Sequence, residues 1–509
     1  MLAALVYHTN FISRKLLLVT ALSFIGFSVG LACALLPPVA PFGIVAAISL
    51  FLLWVLPEIR SVPDRWIKFL VAPLVFTFIC VPVYYAIILP GLPWISIRRA
   101  VLFAWIIPLA ISLAGSPTAR NHIRSVFSKA KLLRFCLMSF FVLTLITTLT
   151  GIAPLTSANY LVLSILNWFI PLIGVVLCIR NERQIATLFK ACIAAVGVNL
   201  LAGAWESHLQ RPFLIYFLPA YMRDQILQAN PIVQNNLING MGFRAGVYRA
   251  SSTYTTALSW GEISAMMVPM CLHFVAHGKS LAQRSLGIIG FGMCVASIAL
   301  SGSRGAYVGM ILATIAYSIA WAFRYNAAYP SRLAGKIWLM LYALASGATV
   351  LAVFLIGPIR RAVLGGGEAQ WSTDSRYAEW AQAQPKILAR PITGYGGGTA
   401  ADVIHYMSSF GALSVDGFYM NLLVDYGIFG LLLFSAIFIV ATVMCFHIYY
   451  TARGDDSVTA AAIGASILAF IIYRLTLSQT DSLTMAFMLV GVAGVLQSLK
   501  QLRRTATAH

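Results

Sequence analysis

The chain has 509 residues, of which 60% are hydrophobic and only 10% charged, with a mean hydropathy of +0.85. Soluble domains carry about 25% charged residues, so this chain cannot cover a water-facing surface, which excludes a soluble enzyme, a disordered chain and a small secreted scaffold. The formal net charge of +20 comes from 35 Lys and Arg against 15 Asp and Glu; with no long basic block and no nucleic-acid motif, no nucleic-acid partner is expected, and the charge reads as loops held at a cytoplasmic face.

Apolar runs long enough to cross roughly 30 Å of hydrocarbon recur along the chain. Lipid offers backbone polar groups no partner, so such runs fold as helices; their length argues against the short alternating strands of a barrel. The expected fold class is all-α, a polytopic membrane helix bundle with about 14 spans and two larger external loops. Span centres fall near Phe24, Ala47, Thr77, Trp105, Leu143, Ile165, Ala195, Met267, Cys294, Thr314, Leu344, Phe434, Ser466 and Leu489. The first follows a weakly basic start without a clean small-residue cleavage site, and reads as a retained span.

The chain divides into an N-terminal transmembrane bundle over 1–204, a first external loop over 205–257, central transmembrane helices over 258–357, a large external loop over 358–415 and C-terminal transmembrane helices over 416–509. With the N-terminus placed inside, alternate loops hold 22 of the 35 basic residues but 5 of the 15 acidic ones, from Arg14 and Lys15 through Arg120, Arg124 and Lys129 to Lys500, Arg503 and Arg504. The asymmetry predicts that both termini are cytoplasmic. It turns Glu206–Tyr254 and Gly357–Val415 outward, where PFLIYFLPAYM and YAEWAQAQPKIL predict short helices against the membrane surface or over a cavity. Eight cysteines lie in or at the edges of spans with no CxxC pair, as packing residues rather than disulfides or metal ligands.

The basic residues left on the outer side are all arginine except Lys386. Arginine is the side chain suited to bidentate recognition of phosphate or carboxylate. Arg304, in SGSRGAYVG, lies in a turn so short that it must stand at the mouth of the bundle beside a helix N-terminus, where free N–H groups and a cation favour an anion. Arg244 and Arg249 precede a span in GFRAGVYRASSTY, with Glu262 or Asp224 as the ordinary pairing alternative. Arg376 lies in TDSRYAEW; Arg360 and Arg361 follow a span and would contact headgroups. Arg474, about one turn inside its helix end, is a further candidate because ionisable groups at that depth are costly, although Asp481 could neutralise it. Asp416 opens DGFYMNLLVDYGIFG where the second loop re-enters the membrane, as a base or as an N-cap. His405, Asp402 and His208 are the other external titratable groups, with His405 kept as a candidate. No HExxH, paired-His or DxD motif is present, so neither a metal nor a cofactor is expected. GYGGG at 394–398 lacks the strand–helix context of a nucleotide loop and reads as a Pro/Gly turn.

In this order, RASSTY at 249–254, SGSRGAYVG, SRYAEWAQAQPKILARPITGYGGG and DGFYMNLLVDYGIFGLLLF resemble the O-antigen ligase and Wzy-type polysaccharide polymerase superfamily, bacterial envelope glycosyltransferases with a GT-C-like fold. In the ligases the re-entry motif opens with His, then Asn, Ser or Gln, then nine residues and Gly. Here Asp416, Gly417 and Gly427 keep the spacing with Asp in place of His, which points to a polymerase-type member. The resemblance implies a multi-pass protein of the bacterial inner membrane that polymerises polyprenyl-pyrophosphate-linked oligosaccharide repeats on the periplasmic side without a metal. The alternatives are an O-antigen ligase passing glycan to lipid A-core or protein, and a polysaccharide or lipid transporter. It implies a lipid-linked glycan donor and acceptor, membrane lipids and a chain-length regulator as partners. It places Arg249, Arg304 and Arg376 on the positions that hold the pyrophosphate, and Asp416 with Arg304 at the catalytic centre.

Overall fold

The computed structural model describes residues 64–88, 95–229, 234, 238, 242–244, 246–357, 360, 370–407, 413, 415–451, 457–475 and 477–506. The helices among them are α1 (Asp64–Cys80), α2 (Ile97–Gly115), α3 (Pro117–Lys129), α4 (Lys131–Thr150), α5 (Pro154–Ser164), α6 (Ile170–Cys178), α7 (Glu182–Leu209), α8 (Ala220–Ala229), α9 (Ala257–His277), α10 (Leu281–Ser301), α11 (Arg304–Ala328), α12 (Leu333–Leu355), α13 (Gln370–Ala389), α14 (Ala400–Ile404), α15 (Phe418–Thr451), α16 (Ala460–Tyr473) and α17 (Leu483–Ala506). A π-helical turn over Ile165–Phe169 joins α5 to α6. Ten described segments are long and apolar enough to span a membrane, and Val71–Cys80 and Ala460–Tyr473 are shorter apolar helices. Each expected span centre from Thr77 to Leu489 falls on one of these segments. The centres near Phe24 and Ala47, and Cys33, Arg361 and the glycines at 365–367, lie outside the described residues.

Local chemistry sets the helix starts. Ser96 Oγ accepts the Arg99 N–H at 3.3 Å, Asn181 Oδ1 accepts the Gln184 N–H at 3.0 Å, and Thr256 Oγ1 accepts the Ser259 N–H at 3.3 Å, each meeting one of the first-turn donors a helix cannot pair internally. Pro117 and Pro154 stand at first-turn positions, where no N–H is needed. The helix α3 carries Arg120, Arg124 and Lys129 and is not a span.

The bundle is built around α9 and α17. The first packs on α10, α11 and α16, and the second on α6 and α15. Trp168, Phe434, Phe438 and Phe487 form a ring-on-ring core, with Trp168 stacked on Phe487 at 5.6 Å. By contrast α12 exposes Leu333, Met340, Leu344, Phe354 and Leu355, a surface suited to lipid rather than water. The seven described cysteines are free and buried.

The two large loops also contain helices: α8 in the first, and α13 with α14 in the second. The second loop is tied to α15 at its break. Gly427 has φ 67° and ψ −168° inside α15, a backbone region that only glycine adopts without strain. There Pro391 O accepts the Ile428 N–H at 2.8 Å, and the Gly396 and Tyr395 N–H groups donate to the Asp425 and Val424 carbonyls at 2.9 Å. The Asp425 carboxylate accepts the N–H groups of Gly398, Thr399 and Ala400 at 2.9–3.0 Å. GYGGG is therefore a turn with Gly394, Gly396 and Gly398 at positive φ. A Cβ at Gly427 would stand 2.3 Å from Ile392 O. Gly427→Ala is expected to lower stability by at least about 1–3 kcal/mol from backbone strain alone, read as a lower midpoint in thermal unfolding of detergent-purified protein.

Candidate functional site

Glu206, in the last turn of α7, is 1% exposed and organises the segment before α9. Its carboxylate accepts the Tyr248 hydroxyl at 2.9 Å, the Ser251 N–H at 2.8 Å and the Ser252 N–H at 2.7 Å. The Ala250 N–H donates to Leu300 O at 3.0 Å and the Ser252 hydroxyl to Asn199 O at 2.7 Å. Thus fixed, Arg249 lies across the end of α10. Its Nε donates to Ser301 O at 3.0 Å, and a Cβ at Gly302 would stand 3.1 Å from its Cγ. Its Nη2 is buried with no partner among the described residues. A hollow of about 140 Å³ beside it is lined by Glu206, Tyr248, Ser251 and Leu258.

The turn after Arg249's contact is two residues long. Gly302, at φ 55°, closes α10 and Ser303 opens α11. The Ser303 hydroxyl does not cap the helix; it hydrogen-bonds the buried Tyr473 hydroxyl, which donates to Leu258 O at 2.8 Å. Arg304 is the first residue of α11, beside the first-turn N–H groups that lack an i−4 carbonyl. Burial holds the Arg249 guanidinium below the ordinary arginine value; the Tyr473 hydroxyl opposes this and the Arg304 charge adds to it. Arg304 is in turn repelled by Arg376, whose Nε is buried without a partner among the described residues. Arg304 is therefore within electrostatic reach of both Arg249 and Arg376. Like charges converge at a cost unless an anion completes them.

One turn beyond Arg376 on α13 stands Glu379, 2% exposed. Both its oxygens accept the Asp416 backbone N–H, at 3.0 and 3.1 Å. Burial pushes Glu379 up to about 7; the Asp416 N–H opposes this, the Asp416 charge adds to it and the Arg376 charge opposes it. Asp416 is half-buried, and among the described residues its carboxylate has no hydrogen-bond partner. Gly417, whose carbonyl accepts the Asn421 N–H at 3.0 Å, occupies the capping position of α15, so capping does not explain Asp416.

Arg249, Arg304, Arg376 and Asp416 are thus gathered at one end of the bundle; Arg474 and His405 have other surroundings. Arg474 sits at the C-cap of α16, past its last turn rather than inside it, and is fully buried. Its Nη2 meets Glu262 Oε2 at 2.8 Å, it donates to Gln479 O and Ser482 Oγ, and it lies over Phe418 and Phe470 at 5.1 and 4.9 Å. This corrects the expected pairings. Glu262 rather than Asp481 neutralises Arg474, Asp481 faces Arg98 at 3.8 Å, and Asp224 faces Arg223 at 3.7 Å, so neither Glu262 nor Asp224 is left for Arg249. The pair is fully buried and ties the end of α16 to α9, with Arg474 Nε and Glu262 Oε1 lacking a hydrogen-bond partner among the described residues. His405 is exposed, at φ 60° where α14 ends. Arg244 belongs to a two-residue strand and its side chain lies outside the described residues. Arg360 is exposed.

Sequence reasoning missed Glu379, Glu206 and Tyr473. For Glu379 the signal was present, since three residues after Arg376 on a helix is the same face. For Glu206 and Tyr473 none was, because their partners lie 42 or more residues away.

Residues 289–435 match the O-antigen ligase family. The matched stretch runs from α10 into α15 and contains Arg304, Arg376, Glu379, Asp416 and Gly427. The resemblance read from the sequence is borne out over that stretch, and with it, at a coarse level, a multi-pass membrane enzyme of the ligase and polymerase type. No match was found among curated proteins.

Proposed function

We propose that the protein is a polysaccharide polymerase that joins polyprenyl-pyrophosphate-linked oligosaccharide repeats at the periplasmic face of the bacterial inner membrane. The observation that carries the reading is that Arg304 lies within electrostatic reach of both Arg249 and Arg376, with no salt bridge to any of the three among the described residues. A diphosphate is the ligand that such a cluster suits. The acceptor hydroxyl oxygen attacks the anomeric carbon of the donor; the bond from that carbon to the phosphate oxygen breaks, and the lipid diphosphate leaves with the electron pair. The arginines stabilise the charge that grows on it, an electrostatic contribution fixed in place before the reaction. Asp416 takes the proton of the attacking hydroxyl as general base, with Glu379 holding its backbone. Donor and acceptor held together in a partly dry site lower the barrier further.

The charge asymmetry of the loops supports placing the arginine end outside and both termini inside. The opposite end carries Lys129 bound to Ser498 at 3.4 Å and Arg503 paired with Glu182 at 3.1 Å. Asp at 416, where the ligases carry His, favours polymerisation over transfer to lipid A-core or protein. A transporter would spread charged groups along its route, whereas among the described residues the buried guanidinium and carboxylate atoms without hydrogen-bond partners, on Arg98, Arg249, Glu262, Arg376, Arg474 and Asp481, lie toward one end.

The test is product analysis with purified protein and defined lipid-linked repeats. Chains lengthening by whole repeats, with release of the lipid diphosphate, are expected. Transfer only to lipid A-core or to protein would replace polymerisation with ligation, and absence of any transfer would end the enzymatic reading.

A further inference from the structure

A second cavity lies at the same end of the bundle, where the start of α2, the middle of the α5–α6 span and the start of α17 meet. It measures about 140 Å³ and is lined by Arg98, Arg99, Tyr160, Asn167, Trp168 and Asp481, among others. We infer that this cavity is a subsite for one sugar ring of the acceptor glycan. Its role as acceptor subsite rests on the transfer reaction proposed above; its capacity to bind a sugar does not.

Three observations point to a ligand. The first is size: a cavity of about 150 Å³ takes a benzene ring, so one of about 140 Å³ admits the ring of a sugar with its substituents toward the opening. The second is unsatisfied polarity. Arg98 is 4% exposed; its Nε donates to Val81 O at 2.6 Å, and its Nη1 stands 3.8 Å from Asp481 Oδ1, beyond hydrogen-bond reach. That leaves Arg98 Nη2 and Asp481 Oδ2 buried without partners among the described residues. Groups in that state are stabilised strongly by whatever completes them. The third is the helix itself. The π turn over Ile165–Phe169, closed by the Ile170 N–H on Ile165 O, interrupts an otherwise regular span where Asn167 and Trp168 line the cavity. Pro171 follows and can donate no N–H to the Asn167 carbonyl. Such turns cluster at functional sites.

The donor set identifies the chemistry. A second diphosphate would meet the Asp481 carboxylate, and a hydrocarbon chain would leave Arg98 Nη2 and Asp481 Oδ2 without hydrogen bonds. A polyhydroxyl ring accepts from Arg98 and donates to Asp481 and to the Asn167 amide oxygen, whose own Nδ2 is occupied by Leu163 O at 2.9 Å. The cavity shares no lining residue with the arginine cluster. Arg98 lies 5.5 Å over the ring of buried Tyr254, the last residue of the segment that begins with Arg249.

The experiment is saturation-transfer NMR on the purified full-length protein with glucose, galactose, mannose, N-acetylglucosamine and glucuronate, each with and without inorganic pyrophosphate. At least one sugar is expected to give a saturable signal that pyrophosphate leaves unchanged and that falls at least tenfold in Asn167→Leu and in Asp481→Asn. Both variants are first checked for a single monodisperse peak, and either one that folds suffices. Absence of saturable binding by every sugar, an undiminished signal in a folded variant, or displacement by pyrophosphate would overturn the inference. Because binding is read without turnover, polymer formation alongside failed sugar binding would remove this subsite alone.

Discussion

Arg304→Ala is expected to lower glycan transfer by about 10²–10³-fold or more, the range for removal of one preorganised charge-stabilising donor, while the folded protein remains in the membrane at normal abundance. The expectation comes from its neighbours. Arg304 is within electrostatic reach of both Arg249 and Arg376, and among the described residues no carboxylate is paired with it. Removing it therefore relieves repulsion instead of breaking a bond, and the thermal midpoint should stay the same or rise, as where activity and stability are traded against each other. Arg304→Lys keeps the charge but not the forked donor geometry, and is expected to fail as well. Initial rates on lipid-linked repeats, with unfolding curves on the same preparations, check both parts. A normal rate in Arg304→Ala would remove this residue from the site.

The second large effect is expected at Asp416 and Glu379. Asp416→Asn removes a base and should slow transfer by about 10²–10⁴-fold, leaving the backbone N–H that Glu379 accepts. Glu379→Gln keeps the size of the side chain but offers one acceptor oxygen where the carboxylate offers two. The sign of the pH effect follows from Glu379's position near 7 in the folded protein, above its ordinary value of 4.5. Between those values the folded chain holds a proton that the unfolded chain has lost. Glu379's contribution to stability is therefore complete below about 4.5 and is lost as pH rises through about 7. Activity should move the opposite way: ionisation gives both oxygens to the Asp416 N–H and sets the base, so rates rise with pH through about 7. In Glu379→Gln that limb should flatten. A pH–rate profile unchanged in the variant would reduce Glu379 to packing, and wild-type turnover in Asp416→Asn would exclude the base.

Composition and apolar run length were enough to read the helical bundle, because a chain with this few charges has only lipid to face. The short turn around Arg304 was legible for a similar reason: two apolar runs separated by SGSR leave almost no slack. The pairing of ions was not. Arg474 and Asp481 are seven residues apart, yet Arg474 reaches Glu262, 212 residues away, because α16, which Arg474 closes, packs on α9. Asp481 is carried instead to Arg98. Sequence proximity ranks partners only inside a single element; across a bundle, helix packing decides. Likewise the Asp416–Gly427 spacing was visible, but its physical content, a break in α15 that receives Pro391 and Ile392, needed the fold.

The Glu262–Arg474 pair has a consequence for how a substrate finds the protein. Because those two opposite charges cancel at 2.8 Å in the interior, they contribute little at a distance, and Arg249, Arg304 and Arg376 add to a positive field at that end of the bundle. Above a low-dielectric slab such a field spreads sideways and is weakly quenched by water. A polyanionic headgroup confined to two-dimensional diffusion would then be drawn in along the bilayer plane before any contact forms. Salt would slow that approach more than it loosened the finished complex.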